Sequence, residues 1–179
     1  MAVFTALLVA AAVVPGIPLG GAGVPITLQT LAVMLTGLVL GPIRGGLAVL
    51  LYLLLGFVGL PVFSRGQSGL QVLSGPTAGY LVSFVVAALV VGLAARVVLR
   101  RARQSLWVPL LLVASFATTV VVHALGILGL MVNLRLPLSA AVSADLPFLP
   151  GDLVKDVVAV VAAVAVHRAF SDVLRRPRA

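Results

Sequence analysis

The stretch Phe148-Leu149-Pro150-Gly151-Asp152-Leu153-Val154-Lys155-Asp156 decides how the rest of the chain is interpreted. It contains two of the chain's four acidic residues and its sole lysine, and a long apolar run follows it. Pro150 suits the first turn of a helix, because its missing N–H would have no partner there. Asp152 then falls in the first turn, where the helix dipole favours a carboxylate. Along such a helix, Lys155 lies about 60° to one side of Asp152 and Asp156 about 40° to the other, so the three charges share one face.

The composition of the chain indicates a membrane protein. Hydrophobic residues make up 62% of it and charged residues 9%, whereas a soluble domain carries about 25% charged residues. Several apolar runs approach the roughly 20 residues that a helix needs to cross a bilayer. We therefore expect a single integral membrane domain over residues 1–179, all-α, with six transmembrane helices. The charges near Asp152 should then point at a ligand, a partner or a cavity rather than at lipid.

The apolar runs divide the chain into six expected spans. The first is short, but we expect a retained helix rather than a signal peptide, because no basic segment precedes it and Pro15-Gly16-Ile17-Pro18 is not an A-x-A cleavage site. Gly41-Pro42 should interrupt the second span. The expected spans are Ala2 to Val14, about Pro25 to Leu40, Gly45 to Leu60, about Pro76 to Leu99, Leu106 to Met131, and Leu149 to Phe170.

The positions of the arginines predict the orientation. One cluster follows the fourth span and another follows the sixth, and both should be cytoplasmic by the positive-inside rule. Six alternating spans then put both termini and Arg44 in the cytoplasm, with only Arg65 and Arg135 in outer loops. The net charge of +8 is therefore a topology signal, and we expect no nucleic acid partner. The two clusters are Arg96, Arg100, Arg101 and Arg103, and Arg168, Arg175, Arg176 and Arg178.

The outer segments of this topology are long, poor in charge and rich in glycine, proline and small polar residues. They comprise Pro15 to Gln29, Leu60 to Tyr80, and Val132 to Lys155. Long loops over a helix bundle are typical of a cap above a site. We expect them to cover a substrate cavity that opens to the outer side.

Candidate site residues lie in each outer segment. Gln29 offers a donor and an acceptor, and Thr27 and Thr30 add hydroxyls, although threonines here also suit a helix start. In the second segment, Phe63 and Tyr80 offer flat apolar surfaces, although Tyr80 also suits an interfacial anchor.

Two further candidates lie in that second segment, and a charged pair lies in the third. Gly75 permits close backbone approach and Thr77 adds a hydroxyl, although Gly75-Pro76 also suits a simple turn before a helix. The alternative for Asp152 and Lys155 is an ion pair that only stabilises the helix bundle.

Alanines recur at every fourth position of the first span: Ala2, Ala6 and Ala10. Such a stripe of small residues lets another helix approach closely. Packing within the bundle and docking of a partner helix both fit this pattern.

Three motifs, in order along the chain, resemble the BioY family, the biotin-specific S components of energy-coupling factor (ECF) transporters. The resemblance implies a multi-pass protein of the bacterial plasma membrane that captures biotin from outside, with no cofactor. It also implies three partners: a transmembrane coupling subunit and two ATPase subunits. The motifs are Pro25-Ile26-Thr27-Leu28-Gln29-Thr30; Gly59 to Phe63 with Gly75-Pro76-Thr77-Ala78-Gly79-Tyr80-Leu81; and Pro150-Gly151-Asp152-Leu153-Val154-Lys155.

The resemblance also implies roles for the candidate residues. Asp152 would accept from the ureido N–H groups of biotin, and Lys155 would donate to the ureido oxygen or to the carboxylate. Phe63 and Tyr80 would pack against the bicyclic ring, and the alanine stripe would dock on the coupling subunit through Ala6 and Ala10. Secondary contacts would come from Gln29, Thr27, Thr77 and the backbone at Gly75.

Two other functions remain as alternatives. An ion-coupled carrier would use Asp152 and Asp156 without an ATPase. A rhomboid-like serine protease would use Gly66-Gln67-Ser68-Gly69 with His123 or His167, but Ser68 is expected in an outer loop and His167 at the cytoplasmic end of the last span. The sequence has no cysteine, no metal-ligand cluster and no G-x-x-x-x-G-K-[ST] phosphate loop. We therefore expect no enzyme activity and no metal.

Overall fold

The structure, a computed structural model, describes residues 1–18 and 23–170. Six main helices and one short helix account for most of these residues, which confirms the all-α prediction. In chain order they are α1 Ala2–Val13, α2 Gln29–Leu40, α3 Pro42–Phe57, α4 Ala78–Arg101, α5 Trp107–Asn133, α6 Leu138–Asp145 and α7 Leu149–Ala169. Short 3-10 turns lie at Ser64–Gly66, Leu70–Ser74, Gln104–Leu106 and Leu146–Phe148.

Helix α2 begins later than expected because a strand pairing precedes it. Strand β1, Ile17–Pro18, pairs antiparallel with β2, Pro25–Ile26. The Thr27 hydroxyl then accepts a hydrogen bond from the backbone N–H of Gln29 at 3.3 Å. The helix start that we placed near Pro25 therefore lies at Gln29.

A single residue separates α2 from α3. Gly41 has φ 77, a left-handed conformation that favours glycine, and its N–H bonds to the carbonyl of Gly37 at 2.9 Å. Pro42 opens α3 directly afterwards, where its missing N–H has no cost. The expected interruption at Gly41-Pro42 is therefore a tight turn, and α3 starts three residues before the expected Gly45.

Helix α6 is an element that the sequence did not predict. It lies in the outer segment expected as an irregular loop and follows Arg135, whose φ is 53. The 3-10 turn Leu146–Phe148 connects it directly to α7. Much of this third outer segment is therefore helical, and Asp145, the last residue of α6, directly precedes the turn that leads into α7.

Small residues form much of the interface between helices. Helix α4 packs on α2, α3 and α5, α7 packs on α2 and α5, and α1 packs on α2 and α3. Alanines that are fully buried lie at these contacts, and small residues allow close helix approach in membranes. These alanines are Ala48, Ala87, Ala88, Ala95, Ala159 and Ala163.

The outward faces of the helices are apolar. Exposed leucines and valines on α3 and α5 include Leu47, Leu50, Leu54, Val113 and Val120. Two helical stretches of the described residues are long and apolar enough to cross a membrane, Ala78–Arg101 and Gln104–Asn133, and α1, α2 and α3 are shorter apolar helices. Helix α7 has 21 residues, with charged residues near its start. The C-terminal arginines of the topology prediction, Arg175, Arg176 and Arg178, lie outside the described residues.

Candidate binding site

The site is built on the first turns of α7. Asp152 lies in the first turn of this helix and is 6% exposed. Its Oδ1 lies 2.7 Å from Lys155 Nζ and accepts from the Thr30 hydroxyl at 2.8 Å. Lys155 Nζ also donates to Thr30 Oγ1 at 3.3 Å. The start of α2 and the start of α7 therefore meet at one carboxylate oxygen.

The other carboxylate oxygen of Asp152 faces α5. Its Oδ2 lies 3.4 Å from His123 Nε2, an ion-pair distance without the geometry of a hydrogen bond. His123 Nδ1 lies 2.8 Å from Oδ2 of Asp145 and 2.9 Å from its Oδ1. Asp145 Oδ1 in turn accepts from the Tyr80 hydroxyl at 2.6 Å. A continuous series of polar contacts thus joins Lys155 to Tyr80.

A cavity lies beside this series of contacts. Six of the eight predicted site residues line it: Thr27, Gln29, Thr77, Tyr80, Asp152 and Lys155. The structure therefore brings together residues from all three outer segments. The remaining lining residues are Val24, Pro25, Thr30, Ser64, Leu81, Phe84 and Phe148.

Gln29 is held in place by its neighbours. Its Nε2 donates to the Tyr52 hydroxyl at 2.7 Å, and its Oε1 accepts from the Thr27 hydroxyl at 3.1 Å. Thr27 thus both stabilises the start of α2 and orients Gln29. Of the four hydrogen-bonding positions of an amide side chain, Gln29 uses two within the protein.

Tyr80 forms an aromatic wall with Phe148, with ring centroids 6.2 Å apart. A Cβ at Gly126 on α5 would overlap the Tyr80 ring, so the ring lies directly against the backbone of α5. With its hydroxyl bonded to Asp145, Tyr80 is fixed at both the ring and the oxygen. Tyr80 is therefore more constrained than an interfacial anchor would need to be.

Phe63 and Gly75 do not line this cavity. Phe63 is 1% exposed and packs edge-on against Tyr52 and Phe57, with centroids 5.6 and 5.4 Å away. It fills the space that a side chain at Gly56 would need. The Gly75 carbonyl accepts from Asn133 Nδ2 at 2.8 Å.

Gly75 and Ser68 instead line a second cavity, which shares no lining residue with the first. Its other lining residues are Gly66, Gln67, Gln71 and Val72. Ser68 is thus at a different site from His123, whose Nδ1 is bonded to Asp145. Among the described residues, no group of three or more histidine, cysteine or acidic side chains could hold a metal ion.

Asp156 lies behind the cavity wall. It is 2% exposed, and its Oδ2 accepts from the Thr119 hydroxyl at 2.6 Å. It does not line the cavity, although it shares the charged face of α7 with Asp152, as predicted from the helix geometry. The hydrogen bond from Thr119 offsets part of the cost of burying this carboxylate.

Ala6 and Ala10 are exposed on α1, and so is Ala2. The buried face of this helix consists of Thr5, Leu8, Ala11 and Ala12. The alanine stripe therefore lies off the buried face of α1, and its docking on a partner helix stays a prediction.

The sequence did not predict roles for His123 and Asp145 in the site, whereas Thr30 was expected to add a hydroxyl beside Gln29. His123 appeared in the protease alternative rather than in the binding site, and Asp145 was not singled out. The scarcity of acidic residues in so apolar a chain is the signal that would have found Asp145, since an intramembrane charge needs a partner.

Comparisons with known proteins agree with one another. Residues 1–172 match the BioY family. The chain is 49% identical to the biotin transporter BioY of Rhodobacter capsulatus, over 87% of this chain and 84% of that protein. It is 40% identical to the biotin transporter BioY of Thermotoga maritima, over 93% and 92%.

The fold is also similar to a solved structure. That structure is the S-component for biotin from an ECF-type ABC transporter, solved at 2.1 Å. The TM-score is 0.84 at 28% identity, covering 93% of this chain and 88% of that one. The relatives are named as biotin transporters and the neighbour as a transporter component, so the serine-protease alternative is wrong. The resemblance predicted from three motifs is confirmed: the chain belongs to the BioY family.

Proposed function

We propose that this chain is the biotin-binding S component of an ECF-type transporter and that it holds biotin in the cavity beside Asp152 and Lys155. The observation that carries the proposal is the buried Asp152–Lys155 pair in a cavity wall of a BioY family member. The cavity sets a few polar groups among aromatic and aliphatic side chains, as small-molecule sites do.

The unused hydrogen-bonding positions of the pair suit a urea. A carboxylate has about four acceptor positions, and Asp152 uses two of them for Lys155 and Thr30 while its other oxygen faces His123. An ammonium has three donors, and Lys155 uses two for Asp152 and Thr30. The pair thus keeps at least one acceptor and one donor side by side, which is the complement of an N–H next to a C=O.

Biotin supplies this arrangement in its ureido ring. One N–H would bond to Asp152, and Lys155 would donate to the ureido oxygen or, in the reverse orientation, to the carboxylate. Charge-assisted bonds of this kind are strong where water is excluded. Tyr80 and Phe148 would pack against the bicyclic ring, and Thr77 and Gln29 would make secondary polar contacts. Phe63 would act from behind the wall, through Tyr52, rather than by contact.

The exposed alanine stripe on α1 supports a helical partner. We infer that a helix of the transmembrane coupling subunit packs against Ala6 and Ala10. The coupling subunit in turn binds two ATPase subunits. Their exposure on α1 leaves a smooth apolar surface on which a helix packs closely. Energy for uptake would then come from the ATPases.

We further infer the orientation in the bacterial plasma membrane from the arginines. The cavity would open to the outer side, and the end of α4, with Arg100 and Arg101, would be cytoplasmic together with both termini. Six alternating spans, formed by α1 to α5 and α7, connect these two faces.

The proposal is tested by titration of the purified protein in detergent with biotin, dethiobiotin, thiamine and riboflavin. We expect binding of biotin and, more weakly or equally, of dethiobiotin, which keeps the ureido ring. Thiamine and riboflavin lack that ring and should not bind. Absence of biotin binding by the folded protein would refute the proposed function.

The ion-coupled alternative is tested in the same preparation reconstituted into proteoliposomes. Uptake of biotin driven by a proton or sodium gradient, in the absence of ATPase subunits, would favour a carrier. Uptake that appears only with the coupling subunit and ATP supports the proposal.

A further inference from the structure

We propose that His123 and Asp145 are positioning residues of the biotin site. Neither lines the cavity, yet they contact two residues that do, Asp152 and Tyr80. This inference rests on the proposed function, because biotin affinity is the property that the two residues would control.

His123 lies where two carboxylates converge. It is 6% exposed, with Nδ1 bonded to Asp145 and Nε2 facing Asp152. Only a ring with both nitrogens protonated presents an N–H to each carboxylate. In that form His123 places a positive charge between Asp145 and Asp152, and a buried charge is tolerable when it is paired.

Asp145 extends this support to the aromatic wall. It is 5% exposed, and its carboxylate accepts a hydrogen bond from the Tyr80 hydroxyl and is bonded to the His123 ring. Since Asp145 ends α6, the outer helix is joined through it to α4 and α5. The position of the Tyr80 ring in the cavity thus depends on a residue that the ligand does not touch.

The consequence is an indirect effect on affinity. Without His123, Asp145 loses its bonded cation, and Oδ2 of Asp152 loses the positive group that faces it. Thr30 and Lys155 still hold Oδ1, so Asp152 stays in the wall but with greater rotational freedom. Loss of a hydrogen bond to a charged group corresponds to about 10- to 150-fold in affinity.

The first test compares four substitutions of His123. His123→Ala and His123→Leu remove both donors, and Leu also fills the space. His123→Asn keeps a donor near the Nδ1 position and His123→Gln keeps one near Nε2. We expect Ala and Leu to weaken biotin binding about 10- to 150-fold, with Asn and Gln each recovering part of the loss. Leu binding like the wild type, or Asn and Gln binding no better than Leu, would overturn the proposal.

The matched control is the other histidine of the bundle. His167 is also buried, at 4% exposed, and its Nε2 bonds to the carbonyl of Leu38, far from the cavity. His167→Gln should leave biotin affinity unchanged. A loss equal to that of the His123 variants would show a general effect of buried histidines and would also overturn the proposal.

The second test is a double-mutant cycle between the two residues. Asp145→Asn alone and His123→Gln alone should each weaken biotin binding, and the double variant should be about as weak as the worse single one, because both disrupt one support. Affinity losses that simply multiply would contradict a shared role.

These outcomes separate the inference from the proposed function. If the wild-type chain does not bind biotin, the proposed function fails. If it binds biotin but the cycle is additive, only the positioning role fails. Should His123→Leu not fold, the Asn and Gln variants with the cycle still decide the question.

Discussion

Lys155→Ala is the sharpest test of the site, because it removes one member of a buried ion pair and leaves the rest of the cavity in place. Lys155 Nζ and Asp152 Oδ1 are 2.7 Å apart, and the side chains of Lys155 and Asp152 are 13% and 8% exposed. The change leaves Asp152 with the Thr30 hydroxyl on the same oxygen and takes away the donor expected to meet the ligand. Removing one partner of a buried, hydrogen-bonded charge pair costs about 2–5 kcal/mol of binding. At about 1.4 kcal/mol per decade, this is roughly a 30- to 4,000-fold loss of biotin affinity.

The assay is thermal unfolding with and without biotin, alongside direct titration. At a biotin concentration 100 times Kd, the wild type gains about 2.7 kcal/mol of stability. A variant that binds 1,000-fold more weakly gains less than about 0.1 kcal/mol at the same concentration. We expect Lys155→Ala to remain folded and monodisperse but to lose this ligand-induced shift.

The matched control is Asp156→Asn, one residue further along α7. Asp156 faces Thr119 rather than the cavity, so biotin should still shift the unfolding temperature. Wild-type affinity in Lys155→Ala would refute the assignment of the site. A loss of binding that merely follows loss of the folded state would instead support a purely structural ion pair.

Three further predictions concern other parts of the molecule. Phe63→Ala should destabilise the protein by about 3–5 kcal/mol, because it empties a buried site against Tyr52; an unchanged unfolding temperature with weakened biotin binding would show a direct ligand contact instead. Ala10→Trp should abolish uptake by the complete transporter while the isolated protein still binds biotin, and loss of binding in this variant would point to packing within the bundle. Because the chain has no cysteine, single cysteines are clean probes: one at Gln67 should react only from outside and one at Arg101 only from the cytoplasm, and labelling of both from one side would overturn the proposed orientation.

The charged pair of α7 could be predicted because it depends on local geometry. In a chain with so few charges, the spacing of Asp152 and Lys155 places them on one helix face whatever the rest of the fold does. The long apolar runs likewise predicted the main helices to within a few residues. Both features follow from short stretches of sequence.

The rest of the site depends on contacts between distant parts of the chain. The pairing of His123 with Asp145 requires α6 to fold over the end of α5, and no local pattern predicts this. Phe63 was assigned to the ligand by its aromatic character, yet its place behind the wall is set by the space at Gly56. The start of α2 shifted because β2 pairs with β1, which lies earlier in the chain.

The two polar pairs between α5 and α7 have a consequence for how these helices assemble. His123 faces Asp152, and Thr119 bonds to Asp156. The two pairs are therefore four residues apart on each of these antiparallel helices. A slip of α7 by one turn, about 5.4 Å, would bring Asp156 opposite His123 and leave Thr119 opposite Val160. Alanine and valine surfaces in lipid discriminate weakly between such registers, because lipid is as apolar as the side chains. The polar side chains that form the site therefore also select one register for the two helices.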